Sequence, residues 1–359
     1  RVVCGPGGVS PAGGGGLGRR LWFVPVAGFL LTAAGGASFV GATPALAGVG
    51  FAAPPGKVVG PDRCSRECHK EEGEIWRKSR HGLTFDSLSQ SDKAKKITAA
   101  LGVTHLNRDE ACATCHTTRV EKEGRVEPVV GPSCESCHGA AKDWVEVHGD
   151  FGGKEVKREA ETAEHRRERI AKSDAAGLIR PAGIYRLATA CLDCHLRQDE
   201  RLVNVGGHTP GSRFELVSWT QNKVGDSPPL RHNVWYNPEN KPSPPARRRV
   251  MFVVGTMLEL KYSMEAVAAA TAKGEFAVSM ARRAKKAADK LEGIAQSVTI
   301  AELGTAMTAI GPIQPKLKLH NGEELRRAAA TLDAQAALLA ANHDGEGWEA
   351  LDATIPFLP

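Results

Sequence analysis

The chain has 359 residues, with 47 Lys and Arg against 41 Asp and Glu, and only 5% of its residues are aromatic. Basic and acidic residues are mixed along it, and no basic stripe is interleaved with aromatics, which excludes a nucleic-acid surface. Nine cysteines in a chain of this length do not make a small disulfide-rich scaffold, and eight of the nine fall in four short runs that end in Cys-His.

Residues 1–47 differ in composition from the rest of the chain. Arg19-Arg20 precede Leu21 to Val40, an uncharged stretch, and Ala45-Leu46-Ala47 offers a small-x-small cleavage site. This order of basic, apolar and small residues predicts a secretory signal peptide, with an uncleaved membrane anchor as the alternative. The chain opens on Arg1, which leaves room for a start upstream. Cleavage would remove Cys4 together with Arg1, Arg19 and Arg20 and no acid, so 47 basic residues become 44 against 41 acidic ones. The expected location is therefore periplasmic or otherwise extracytoplasmic, and membrane contact is expected only if the segment stays uncleaved.

Residues 48–240 carry the four motifs: Cys64 to Cys68 with His69, Cys112 to Cys115 with His116, Cys134 to Cys137 with His138, and Cys191 to Cys194 with His195. Three are C-x-x-C-H runs, the signature of covalent c-type haem attachment. Two thiols about a turn apart reach the two vinyl groups of one porphyrin, and the following imidazole is placed to ligate the iron. The first motif has one extra residue between its cysteines, so attachment there proceeds through both thiols or through one. Structural zinc sites also use paired Cys-x-x-Cys, but they close with four ligands and have no need of a His after every second Cys. The expected cofactors are four covalently attached haem c groups. So many Gly, Pro and charged residues would bury little core unaided, and the porphyrins are expected to serve as the core, ringed by short helices and loops. Lys154 to Asp174 is a charged run that reads as an exposed helix or insertion.

All five methionines, Met251 to Met307, lie beyond this region, so histidine is the expected sixth ligand. His81, His105, His148, His165, His208, His232, His320 and His343 lie outside the motifs. Bis-His ligation tends toward lower potentials than Met/His ligation, which predicts a low-potential carrier.

Cys68-His69-Lys70, then Trp76-Arg77-Lys78-Ser79-Arg80-His81, then Val130-Gly131-Pro132-Ser133 running into Cys134 to Gly139, and His148 soon after, resemble the tetrahaem cytochrome c-554 family over roughly residues 57–240. The resemblance implies that His81 caps the haem of His138 and His148 that of His195. It also implies that a His beyond the fourth motif, His232 with His208 as its rival, caps the haem of His69. The haem of His116 would be five-coordinate, with His105 and His208 left as residues able to close it. His165, His320 and His343 read as surface histidines.

From residue 241 the composition shifts. Asn240 to Pro245 reads as a stiff linker, and Ala-rich helical patterns occupy about 246–270, 275–296 and 322–342. They predict a helical hairpin or bundle over 241–359, packed on the haem region or forming an oligomer interface. Glu259, Lys261 and Glu265 interrupt the apolar run of the first helix and argue against a membrane span. The expected fold is thus mainly α.

The expected function is an electron-transfer protein rather than an enzyme. The resemblance implies that an oxidase of reduced nitrogen compounds donates electrons and that a quinone-linked protein or small cytochrome accepts them. The alternative is reduction of a small nitrogen oxide at an open haem of His116, and a third reading is a haem-bearing scaffold within a larger complex.

Overall fold

The computed structural model describes residues 53–66, 68–196, 199–221, 242–313, 317 and 319–356. The expected signal peptide, His232 and most of the linker lie outside them. Among the described residues the fold is mainly helical, and its one sheet is a two-stranded antiparallel hairpin.

The haem region is built from short helices: α1 (Pro61–Ser65), α2 (Lys70–Lys78), α3 (Arg80–Leu88), α4 (Asp92–Leu101) and α5 (Glu110–His116). The hairpin β1 (Thr118–Lys122) and β2 (Arg125–Val130) comes next, then α6 (Cys134–His138), α7 (Val145–Gly149), α8 (Ala163–Ala175), α9 (Ile184–His195), α10 (Glu200–Asn204) and α11 (Leu216–Gln221). Capping starts many of them. Ser79 accepts from the Gly82 N–H, Ser91 from Ala94, Asp109 from Ala111, Thr162 from His165 and Asp199 from Leu202, so side-chain oxygens take up N–H groups that have no partner inside the helix.

The apolar clusters here are small: Ile97, Leu101 and Leu202 form one, and Ala141, Trp144 and Leu178 another. The charged run is α8 preceded by a 3₁₀ turn at Arg158–Ala160, and it is only partly exposed. Arg169 is buried and forks onto both carboxylate oxygens of Glu161, at 2.6 and 2.7 Å.

The large core lies in α12 (Pro245–Ala269), α13 (Glu275–Ser297), α14 (Ala301–Ile310) and α15 (Gly322–Asn342). Three of these match the expected ranges, and α14 is an addition to them. The stripe Val250, Val253, Val254, Met257, Leu260, Met264 and Val267 is buried as the spacing predicts, and Met251, Phe252 and Leu258 are buried as well. α12 is therefore the central helix of the bundle, covered on several sides. Arg249 at its start is buried and pairs with Asp352, with two 2.8 Å bonds, and with Glu349 at 2.9 Å. No helix among the described residues is long and apolar enough to cross a membrane.

This core takes in the helix of the fourth motif. Ile184, Ala188 and Leu192 of α9, with Leu196, belong to the same cluster as α12 to α15. Two polar bonds fasten the join: Tyr262 donates to the buried Asp193 at 2.9 Å, and Tyr185 donates to Asp333 at 2.9 Å.

Candidate haem-binding site

The four Cys-His motifs converge. Cys64, Cys68, Cys112, Cys115, Cys134, Cys137, Cys191 and Cys194 all line one cavity of about 2390 Å³, and so do His69, His116, His138 and His195. Small-molecule pockets usually hold about 300–1,000 Å³, so this space fits several large groups rather than one. Seven of these thiols are free, and Cys68 is in a disulfide.

The thiols order the motifs in space. Cys64 is hydrogen-bonded to Cys134, which pushes the Cys64 thiol up and the Cys134 thiol down. Cys194 is bonded to Cys115 in the same way, with Cys194 raised and Cys115 lowered. Burial pushes Cys137 up to about 11 and raises Cys191 further, and Cys191 also feels the charge of Cys137. First and third motifs are thus adjacent, as are second and fourth, and the third lies beside the fourth.

Three histidines outside the motifs face histidines within them. The His148 ring stacks towards His69 with centroids 6.2 Å apart, the His81 and His195 centroids are 6.2 Å apart, and those of His208 and His116 are 6.4 Å apart. A metal–imidazole bond of about 2.0–2.1 Å, with each ring centre about 1.1 Å beyond its nitrogen, separates two imidazoles trans on one metal by about 6.3 Å. These partners differ from the pairing implied by the resemblance, which set His81 against His138 and His148 against His195. Cross-links explain the second difference. α7, which carries His148, is tied to the first motif by Arg63 donating to Glu146 at 2.8 Å, and Lys57 binds Asp143 at 2.5 Å just before it.

The other nitrogen of several rings is already engaged. His138 Nδ1 donates to the Ile179 carbonyl at 2.8 Å, His208 Nδ1 donates to the Thr209 carbonyl at 2.9 Å, and His195 Nδ1 lies 2.8 Å from Ser212 Oγ. Such a bond sets the tautomer and leaves Nε2 for a metal. Burial pushes His138 below the usual histidine range and takes His148 down to about 4, so both are neutral imidazoles at neutral pH, the ligating form. Glu72, 3.7 Å from His69, raises that imidazole instead.

The sequence elements that carry the resemblance have local reasons. Trp76 Nε1 donates to the Pro132 carbonyl at 2.8 Å, Ser79 caps α3, and His81 sits in its first turn. A Cβ on Gly131 would run into the His81 carbonyl oxygen, so only glycine allows β2 to end there. Glu135, within the third motif, is buried and accepts N–H bonds from Val59, Gly60 and Ala141 at 3.0, 2.7 and 2.7 Å. Burial raises its carboxyl while those bonds lower it.

Residues 63–139, about a fifth of the chain, match the family model of cytochrome c554 and c-prime. This segment is a cytochrome c554-type segment. The match takes in the first three motifs and His81, while the fourth motif, His148 and His208 lie outside it. No curated protein and no solved structure matches the chain.

A c-type cytochrome of this family carries covalent haem c and works in electron transfer, and the residues present fit that group. Beyond thiols and opposed imidazoles, Arg158, Arg166 and Arg180 line the cavity as cations suited to haem propionates. Arg180 Nη2 and Trp144 Nε1 are buried donors without a protein partner, and both residues line the same space.

His105 lies apart from this cytochrome site. It lines a separate cavity of about 600 Å³ beside Arg108 and Glu127 and does not line the large one. His165 lies 2.9 Å from Glu161, and His343 lies 3.0 Å from Glu302, as structural hydrogen-bonding side chains. Sequence reasoning missed the roles of Ser212, Phe214 and Trp219. The rings of Phe214 and Trp219 lie 4.7 and 5.5 Å from that of His195. No spacing rule announces them, because the loop after α10 brings them to the ring.

Proposed function

We propose that the chain is a periplasmic tetrahaem c-type cytochrome that passes electrons between redox partner proteins. The observation that carries this reading is the convergence of four Cys-His motifs on one cavity, with thiols of neighbouring motifs in contact. Haem c held there supplies one-electron chemistry, the iron cycling between ferric and ferrous. The protein's own part is to hold, space and insulate. The motifs run in space in the order first, third, fourth, second, which gives electrons a continuous route with two ends. His138, His195 and His208 are oriented through their Nδ1 bonds, and such outer bonds tune potential.

Two features support an extracytoplasmic setting: the export-type N-terminus, and the attachment of haem c outside the cytoplasmic membrane. The resemblance further suggests an oxidoreductase donor and a quinone-linked or small-cytochrome acceptor, in the respiration of nitrogen compounds. Near balance of charge, 44 against 41 after cleavage, suits docking through local patches rather than through a strong overall field.

The test is to export the chain in a host that attaches haem c, count haem by pyridine haemochrome and intact mass, and mix the reduced protein with a small monohaem cytochrome c. Four haems per chain and rapid delivery of up to four electrons are expected. Fewer haems, or electrons retained on the chain, would overturn the proposal.

A further inference from the structure

We infer that His208 is the sixth ligand of the second haem, so that the iron held by His116 is closed and low-spin. This rests on the reading of the second motif as a haem site. The resemblance implies an open iron there, and the chain's own residues point the other way.

The His208 and His116 ring centroids are 6.4 Å apart, within a few tenths of an ångström of the spacing of the other two opposed pairs and of the span of two imidazoles trans on one metal. His208 is held by a built turn. Its N–H bonds the Leu202 carbonyl at 3.1 Å, just past α10, and Gly207 takes a positive φ of 69° to make the bend. Its Nδ1 donates to the Thr209 carbonyl, and the Thr209 hydroxyl accepts from Lys93 Nζ at 2.9 Å, which ties the loop to α4. The ring therefore has one tautomer and one orientation, with Nε2 left for the metal. Arg201 donating to the Leu101 carbonyl at 2.8 Å fastens α10 to the same helix. His105, the other residue near this motif in sequence, lines a different cavity.

The consequence is chemical. With His208 in place the second iron has no open position for a small nitrogen oxide, and the chain works as a carrier along its whole length.

The experiment is continuous-wave EPR of the oxidised holoprotein, with optical spectra of the reduced protein under carbon monoxide, on the wild type, His208→Gly and His105→Gly. The wild type is expected to show no high-spin iron and no carbon monoxide shift. His208→Gly should gain one high-spin, carbon monoxide-binding haem per chain, and added imidazole should return it to low spin. His105→Gly should match the wild type. A high-spin haem in the wild type, an unchanged spectrum in His208→Gly, or a new high-spin haem in His105→Gly would each overturn the inference. Haem content tests the underlying reading separately. If the second motif carries no haem, that reading fails by mass, whatever the spin states of the others.

Discussion

The indole Nε1 of Trp76 donates to the carbonyl of Pro132 at 2.8 Å, joining the helix before His81 to the turn before the third motif. Two stretches of sequence more than fifty residues apart are thereby one structural unit. Gly131 presses on the His81 backbone from the same turn, and Ser79 starts the helix that carries the ring. Trp76→Phe keeps most of the packing and removes the bond. It should cost about 1 kcal/mol in denaturant unfolding of the holoprotein. It should also broaden the low-spin EPR signal of the haem between His81 and His195, whereas an unchanged signal would show that the ring is placed without this link.

Gly139 and Gly102 make a controlled pair. Both have positive φ, 82° and 73°. A Cβ at Gly139 would lie 2.5 Å from the Gly177 carbonyl oxygen, while at Gly102 nothing lies within 4 Å. Gly102→Ala should cost only the left-handed penalty, about 1–2 kcal/mol. Gly139→Ala should cost clearly more and lower the yield of haem attached at the third motif. Thermal midpoints and haem content of the two variants decide it.

Tyr262 reaches from the bundle to Asp193 inside the fourth motif. Tyr262→Phe removes a buried hydrogen bond to a carboxylate and should destabilise the chain by about 1.5–3 kcal/mol. A spectral change confined to the haem of His195 is expected with it. If the haem signals are untouched while stability falls, the bundle serves only as a support.

The Arg169 guanidinium holds the Glu161 carboxyl at about 2, below its ordinary 4.5, and this outweighs burial, which pushes the other way. The folded state therefore favours the ionised form. The stabilisation is present above about pH 4.5 and is lost as pH falls towards 2. Because Glu161 has only 2% of its side chain exposed, removing its charge from Arg169 is costly. Glu161→Gln should lose about 3 kcal/mol at pH 7 relative to the wild type. The difference should shrink as pH falls through that window, as read from urea unfolding at a series of pH values. Arg169 also donates to the His148 carbonyl at 3.1 Å, so the variant should disturb the haem between His69 and His148.

Much of the site was legible before any fold was known, because haem attachment is a local chemistry. Two thiols and an imidazole must sit within about one and a half turns of chain, and the motifs state this in consecutive residues. The long C-terminal helices were legible too, since burial of one stripe leaves its period in the sequence, as Val250, Val253, Val254 and Met257 show. α14 was not, being ten residues of small and apolar side chains with little polar contrast.

The pairing of histidines belongs to the tertiary structure alone. Nothing in the spacing of His81, His148 and His208 says which motif each will face, because an opposed pair is made by elements that meet in space. Arg63 with Glu146 brings His148 to His69, and Lys93 with Thr209 steadies His208 opposite His116. The same holds for the join of α9 to the bundle. Composition separates the two regions near residue 240, yet Leu192 and Leu196 are buried in the core that α12 organises. The sequence by itself determined the chemistry of attachment, since that chemistry is fixed by neighbours along the chain. Only the tertiary structure decided partners and order, since those depend on distances between residues the chain keeps far apart.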